Sequence, residues 1–177
     1  MKINVFNTSM IINIILLLYI LISSLTDIIY RKVFNSVTLS AIILGVFLNL
    51  SLYGPSGLKK AFLGLLIGFL ILFPVYLLGG IGAGDVKFTA AVGAIMGMKF
   101  VFFGILYGAV IAGLCSLILL LLKKNLKATI SDIFGRILLF FTFKKQHYLK
   151  FEKSSLYLPY AALLSIGMLI RWLEITI

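Results

Sequence analysis

Long apolar runs separated by short polar stretches follow one another along the whole chain. A helix that crosses a bilayer core of about 30 Å needs roughly 20 apolar residues. Six runs reach or approach this length: Val5–Leu25, Val37–Tyr53, Ala61–Leu78, Val86–Met98, Phe100–Leu122 and Leu156–Ile170. The pattern predicts an all-α integral membrane protein with about six transmembrane helices. No linker or repeat divides it, so residues 1–177 are expected to form a single membrane-embedded domain.

Glycines mark two further features of this pattern. The fourth run is short and follows the glycine-rich stretch 79–84, which suits a helix that starts at a re-entrant or partly buried turn. Small residues four positions apart let helices approach closely in lipid. We therefore expect close helix packing at three glycine pairs: Gly64/Gly68, Gly93/Gly97 and Gly104/Gly108.

Between the fifth and sixth runs, apolar residues recur at helical spacing with polar residues between them and basic residues on both flanks. This pattern predicts an amphipathic helix that lies in the cytoplasmic membrane interface. Its role is either that of a connector or that of a guide for a substrate. The apolar positions are Ile130, Ile133, Phe134, Ile137, Leu138 and Phe141.

Composition and charge support membrane insertion and indicate an orientation. The chain is 62% hydrophobic and 12% charged, which is too apolar for a soluble domain of 177 residues. The net charge of +11 comes from basic residues in loops between apolar runs, so it indicates topology and anionic lipid rather than nucleic acid. Most Lys and Arg lie on one side if the N-terminus is outside. This multi-pass topology in the plasma membrane places the loops that carry Asp27 and Asp85 on the cytoplasmic side.

Two aspartates are the strongest candidates for chemistry, because the chain has only five acidic residues. Asp27 closes the first span, where the negative end of the helix dipole disfavours an acid. It either pairs with Arg31, four residues on, or serves a reaction. Asp85 follows the glycine-rich turn and opens a helix, so it suits an N-terminal cap. A cap is compatible with catalysis, and Lys87 either reaches lipid headgroups or acts on a neighbouring carboxylate.

Asp27 and Asp85 together suggest an aspartic dyad. Two carboxyl groups about 3 Å apart in a low-dielectric site cannot both ionise, so one holds a proton while the other activates water. Other catalytic sets are poor, because His147 is the only histidine and the single cysteine, Cys115, lies in an apolar run. The sequence predicts no metal and no cofactor.

Three stretches resemble the type IV prepilin peptidases and preflagellin peptidases, which are membrane aspartic proteases with a Gly-x-Gly-Asp motif. Residues 82–88 (GAGDVKF) look like the second-aspartate motif, and residues 27–35 (DIIYRKVFN) are similar to the first, Asp-x-x-x-Arg-x-Ile-Pro-Asn. Phe34 stands where that family usually has proline. Residues 158–161 (LPYA) look like the element that opens the last span.

The resemblance implies a six-helix peptidase that cleaves the leader of prepilin-like precursors at the cytoplasmic face. Asp27 and Asp85 would be its catalytic pair, and the residues that bind substrate or shape the site would be Gly82, Gly84, Lys87, Arg31, Asn35 and Pro159. The short 28–36 connection and the absence of Cys-x-x-Cys pairs are similar to the compact members, which cleave without methylating. The alternative is a non-enzymatic membrane protein, such as a transporter subunit or a pilus-assembly scaffold. The oligomeric state is open.

Overall fold

The computed structural model describes residues 5–122 and 159–177. Within these ranges every regular element is a helix, so the all-α prediction is confirmed. The predicted interfacial helix at residues 130–141 lies outside the described residues. The five helices are α1 (Val5–Tyr30), α2 (Asn35–Leu77), α3 (Ala83–Met96), α4 (Met98–Leu122) and α5 (Tyr160–Thr176).

Contacts divide the chain into two compact units. One comprises Met1–Ala112 with Pro159–Ile177, and the other is Gly113–Leu158. Helices α1, α2, α3 and α5 belong to the first unit, and α4 begins in it and continues to Leu122. The prediction of a single membrane-embedded domain stays a prediction.

Helix α2 is two arms joined at a sharp break. Gly54 has φ 62° and ψ −146°, which is not helical and which favours glycine because it has no Cβ. Pro55 follows and starts the second arm, where its missing N–H is not needed. The arms match the second and third predicted runs, which the sequence separates at the same turn.

Helix α3 lies between the two arms of α2. Along the first arm, Asn35 contacts Lys87 and Asn49 contacts Ala94, so this arm runs parallel to α3. Along the second arm, successive glycines lie against α3 in the opposite order, with Gly64 against Gly93 and Gly68 against Thr89. A Cβ at Gly64 would overlap backbone atoms of Gly93, so this crossing requires glycine on both helices.

Two buried polar side chains fasten this packing. The Asn49 amide is fully buried, and its Nδ2 donates to the carbonyls of Gly45, Ala94 and Ile95 at 2.9, 3.2 and 2.9 Å. The last two carbonyls belong to the final turn of α3, which leaves such groups without helical partners. Thr89 Oγ1 donates to Gly68 O at 2.7 Å. Together they fix α3 against both arms and so fix the position of its first turn.

Helices α1, α4 and α5 complete the described part of the first unit. Helix α1 contacts α2, α3 and α5. On α4, Gly104 lies against Met168 of α5, and Gly108 lies against Gly167 and Leu164 of the same helix. The expected close packing at glycine pairs is therefore confirmed for Gly64/Gly68, Gly93/Gly97 and Gly104/Gly108, since Gly97 also lies next to Gly64.

Three described helices are long and apolar enough to cross a membrane. The candidate spans are Met10–Tyr30, Asn35–Leu77 and Met98–Leu119. Many of their large apolar side chains are exposed, such as Ile29 at 66% and Phe47 at 62%, as expected of a surface that faces lipid. The chain is thus a membrane protein, whereas the count of six spans and the orientation stay predictions.

The helix ends differ from the predicted runs in a few places. Helix α1 continues through Tyr30 rather than ending at Leu25, which puts Asp27 inside its last turn. Met98, expected at the end of the fourth run, begins α4 because the chain turns at Gly97. Helix α5 begins at Tyr160 after Pro159 and extends to Thr176, six residues beyond the sixth run.

Candidate active site

Asp27 is buried at the end of α1. Its side chain is 3% exposed, and its Oδ2 accepts a hydrogen bond of 3.3 Å from the backbone N–H of Ala162. The helix ends just beyond it: Arg31 N donates to Asp27 O at 2.9 Å, and Arg31 takes φ 54°. The negative end of α1 disfavours an acid there, and the hydrogen bond from α5 offsets this cost.

Asp85 is the third residue of α3 and caps it. Gly82 N donates to Asp85 Oδ2 at 3.0 Å, and Asp85 N donates to Gly82 O at 3.2 Å. An acid in the first turn of a helix is favoured by the positive dipole end. Asp85 is 7% exposed, so it is buried although it caps a helix. The expected capping role is confirmed, and it leaves the carboxyl group within the protein.

The start of α5 brings the two aspartates together. The N–H groups in the first turn of a helix have no partner inside the helix. Here the Ala162 N–H donates to the Asp27 carboxyl group, and the neighbouring Ala161 N–H acts to lower the pKa of Asp85. The charge of Asp27 also acts directly on Asp85. Side chains from α1 and α3, distant in sequence, therefore face each other at one helix N-terminus.

The protonation of Asp85 follows from this arrangement. Asp85 lies outside the three candidate spans and before the predicted fourth run. Burial raises the pKa of Asp85 from its ordinary 3.8 to about 7, and the charge of Asp27 adds to this rise. The N–H groups of Gly82 and Ala161 act against it, because they stabilise the carboxylate. Near neutral pH the pair can therefore hold one proton, as acid–base chemistry by two carboxyl groups requires.

Pro159 sets the entry to α5. It occupies the N-cap position with φ −74°, and its carbonyl accepts a hydrogen bond of 3.1 Å from Leu163 N. Proline at a helix start fixes the backbone without the loss of a helical hydrogen bond. It thereby fixes the direction in which the next N–H groups point. The structure thus places Pro159, predicted to shape the site, directly before the first turn of α5.

Lys87 and Asn35 form a polar contact near the aspartates. Lys87 Nζ donates to Asn35 Oδ1 at 3.0 Å, which links α3 to the first residue of α2. Both side chains are exposed, as is that of Arg31. The three predicted residues thus lie at the protein surface.

The glycine-rich turn, residues 79–84, is partly filled by other residues of the chain. Within it only Gly79 has a positive φ, 71°. A Cβ at Gly84 would lie 3.3 Å from the Val33 Cβ, so the space beside Gly84 is filled by the chain itself. Gly82 is exposed, and a Cβ there would lie 3.3 Å from Asp85 Oδ2. Room for a substrate backbone next to the carboxyl group exists at Gly82 rather than at Gly84.

Phe34 fits a backbone that suits proline. As the N-cap of α2 it has φ −70° and ψ 133°, and proline fixes φ near −65°. Its carbonyl accepts hydrogen bonds from both the N–H and the hydroxyl of Thr38. The phenylalanine therefore leaves the turn between α1 and α2 in a conformation that a proline would also adopt.

Sequence analysis missed the backbone donors of Ala161 and Ala162. The signal was present, because Pro159 followed by a helical run predicts free N–H groups in the first turn of that helix. It also missed the buried hydroxyls of Tyr19, Ser23 and Thr38, of which the Tyr19 hydroxyl lies close to the other two.

Comparison with known proteins gives one match. The family model described as the type IV leader peptidase family matches residues 14–117, more than half of the chain and a range that includes both aspartates. Neither curated proteins nor solved structures gave a match.

Proposed function

The chain belongs to the type IV leader peptidase family, and from this we propose that it is a membrane aspartic endopeptidase with Asp27 and Asp85 as its catalytic pair. Its substrates are prepilin-like precursors, and it removes their leader peptide at the cytoplasmic face of the plasma membrane. The membership makes it a protease in general terms. The aspartic mechanism, the substrate and the side of cleavage are the proposal.

One observation carries this proposal. The start of α5 serves both acids: the Ala162 N–H donates to the carboxyl group of Asp27, and the Ala161 N–H acts on that of Asp85. Two buried acids so close together repel each other when both are charged, and a fold retains such a pair only at a cost. Strongly perturbed acids of this kind are typical of functional sites.

The reaction assigns a different task to each acid. Asp85 retains the shared proton, because burial and the charge of Asp27 raise its pKa to about 7. Asp27 accepts a proton from the attacking water, whose oxygen bonds to the carbonyl carbon of the scissile peptide. Asp85 donates its proton to the substrate as the tetrahedral intermediate forms, and the C–N bond then breaks with protonation of the leaving amine. The positive N-terminus of α5 stabilises the remaining negative charge.

The surroundings suit a peptidase that only cleaves. The connection between α1 and α2 is short, residues 31–34, and the chain has one cysteine, so it offers no Cys-x-x-Cys pairs. We expect no methylation of the new N-terminus. A non-enzymatic transporter subunit or scaffold is not favoured, because it explains neither the family match nor the contact between two buried acids.

Cleavage of a precursor tests the proposal. The protein is co-expressed with prepilin-like precursors, and the loss of the leader is followed by gel shift and by sequencing of the new N-terminus. Asp27→Asn and Asp85→Asn are each expected to reduce the rate by at least about 100-fold, the range for loss of a general acid or base. Glu174→Gln is the control, because Glu174 is an exposed acid that pairs with Arg171 on α5. Normal processing by either aspartate variant would exclude the proposed mechanism.

A further inference from the structure

A line of polar side chains continues from Asp27 along α1. Tyr19, Ser23 and Asp27 follow one another at intervals of four residues, so they share one face of the helix. All three are buried, with exposed fractions of 4%, 0% and 3%. A buried polar line in an apolar helix is costly unless its groups find hydrogen-bond partners.

Two hydroxyls in this line lack such partners among the described residues. Tyr19 OH and Ser23 Oγ are buried, and neither makes a hydrogen bond of acceptable geometry. The Tyr19 hydroxyl lies close to the hydroxyls of Ser23 and Thr38. Thr38, on α2, is 3% exposed, and its own hydroxyl donates to Phe34 O at 3.2 Å. Three hydroxyls thus converge without direct hydrogen bonds among them.

The Ser23 hydroxyl lacks the hydrogen bond to its own helix that Thr26 on α1 and Ser165 on α5 make. Ser and Thr inside a helix commonly donate to a carbonyl one turn back. Thr26 and Ser165 do so, to Ser23 O at 3.0 Å and to Ala161 O at 2.7 Å. Ser23 does not, which leaves its hydroxyl available to a group that lies between the helices.

The Tyr19 ring is held in place from the other side. It stacks on Phe88, with ring centroids 5.5 Å apart and an interplanar angle of 20°. Phe88 is fully buried and lies three residues after Asp85 on α3. The Tyr19 hydroxyl is therefore positioned by the same two helices that carry the aspartates.

We infer that the hydroxyls of Tyr19, Ser23 and Thr38 form a water-binding site next to Asp27, and that the bound water donates a hydrogen bond to the Asp27 carboxyl group. A buried water makes two to four hydrogen bonds, and the three hydroxyls together with the Asp27 carboxyl group supply four partners. Ser23 and Asp27 are one turn apart, with Cβ atoms about 5–6 Å from each other. One water bridges groups at that separation.

This site makes Tyr19 and Ser23 positioning residues for the reaction, an inference that rests on the proposed function. A donated hydrogen bond favours the ionised form of a carboxyl group. The water therefore holds Asp27 as the carboxylate that accepts a proton, while Asp85 keeps the shared proton. The titratable group that faces Asp27 is Asp85 on α3. Tyr19 lies on the same helix as Asp27, Arg31 follows directly after that helix, and α5 presents the Ala162 N–H to Asp27.

Single-hydroxyl variants test this inference. Tyr19→Phe keeps the stacked ring and Ser23→Ala keeps the helix, so each removes one ligand of the water. In the full-length protein we expect kcat to fall by about tenfold with KM unchanged, because one hydrogen bond to a charged group is lost. The pH profile of kcat should also differ from that of the control variant, which a merely structural role would not produce. Ser24→Ala, the neighbouring partly buried serine on α1, is the matched control.

Two further results separate the outcomes. The double variant should be little slower than either single variant, since both hydroxyls act through one water. The inference is overturned if both single variants match Ser24→Ala in kcat and pH profile. It is also overturned if the variants are less thermally stable but their kcat is unchanged. Ser23→Ala decides the question if Tyr19→Phe does not fold. Normal cleavage by Asp27→Asn or Asp85→Asn in the same assay would instead refute the proposed function.

Discussion

Replacing Asp85 by asparagine is expected to stop cleavage and also to stabilise the folded protein at alkaline pH. The structure provides the magnitude. Burial and the charge of Asp27 raise the pKa of Asp85 from 3.8 to about 7. At about 1.36 kcal/mol per pKa unit, ionised Asp85 reduces the free energy of unfolding by about 4 kcal/mol. Asparagine is of similar size and never ionises, and its side-chain oxygen can still accept from Gly82 N–H.

The sign of the pH dependence follows from the direction of the shift. Below the unfolded pKa, Asp85 is protonated in both the folded and the unfolded state, and its ionisation costs nothing. As the pH rises from about 4 to about 7, the folded state binds more protons than the unfolded state, so stability falls. Above about 7 the loss is complete and constant. The advantage of Asp85→Asn should therefore be absent near pH 4 and close to its full size near pH 8.

Thermal unfolding of the detergent-solubilised protein at these two pH values measures the effect. Because the comparison is between pH values, any pH-independent effect of the new amide cancels. Glu174→Gln is the control: its carboxylate is exposed and paired with Arg171, so its loss should bring no gain in stability as the pH rises. The reasoning is refuted if the difference between Asp85→Asn and the parent is the same at both pH values, or if it decreases as the pH rises.

Three further predictions concern packing and pH. Gly64→Ala should lower the unfolding midpoint, at a cost of about 1–3 kcal/mol in the free energy of unfolding, because its Cβ would overlap Gly93. Gly113→Ala, whose Cβ would have no atom of the described residues within 4 Å, should leave the midpoint unchanged. Equal midpoints for both variants would contradict the described crossing. Asn49→Asp should lower the free energy of unfolding by about 3–5 kcal/mol, because an unpaired charge would face the carbonyls that the Asn49 amide now contacts. An unfolding midpoint equal to that of the parent would count against this contact. In the cleavage assay kcat should decline as the pH rises through about 7, where Asp85 loses its proton, and a rate still rising above pH 8 would argue against Asp85 as the acid.

Local patterns in the sequence were enough to predict most of the helices. Apolar runs predicted α1, both arms of α2, α3 and α4, because a helix in a membrane protein needs a continuous apolar surface. The break at Gly54 falls in the gap between the second and third predicted runs. The exact ends of the helices were not predicted, because they depend on caps such as Pro159 and on the packing of neighbouring helices.

The candidate site was predicted in part. Asp27 and Asp85 were paired because both loops were expected on one side of the membrane, and in the structure the charge of Asp27 raises the pKa of Asp85. The backbone donors that hold them could not be read from periodicity, because Ala162 is separated from Asp27 by 135 residues. An alanine also carries no chemical signal of its own.

The glycine motif shows the limit of inference from residue type. The resemblance assigned Gly82 and Gly84 to substrate binding or to the shape of the site. Yet Val33 lies against Gly84 and only Gly79 takes a left-handed conformation. Which side of a glycine is free depends on a segment more than 40 residues away in sequence, and composition does not reveal it.

The rate of precursor cleavage by the Asp27→Asn/Asp85→Asn double variant, measured beside each single variant, tests most directly whether the two acids act as one catalytic unit. Residues that act as a unit lose nearly all activity together, so we predict that each single variant is about as slow as the double variant. Either single variant cleaving at the parent rate, or two partial losses that multiply in the double variant, would contradict a shared catalytic pair.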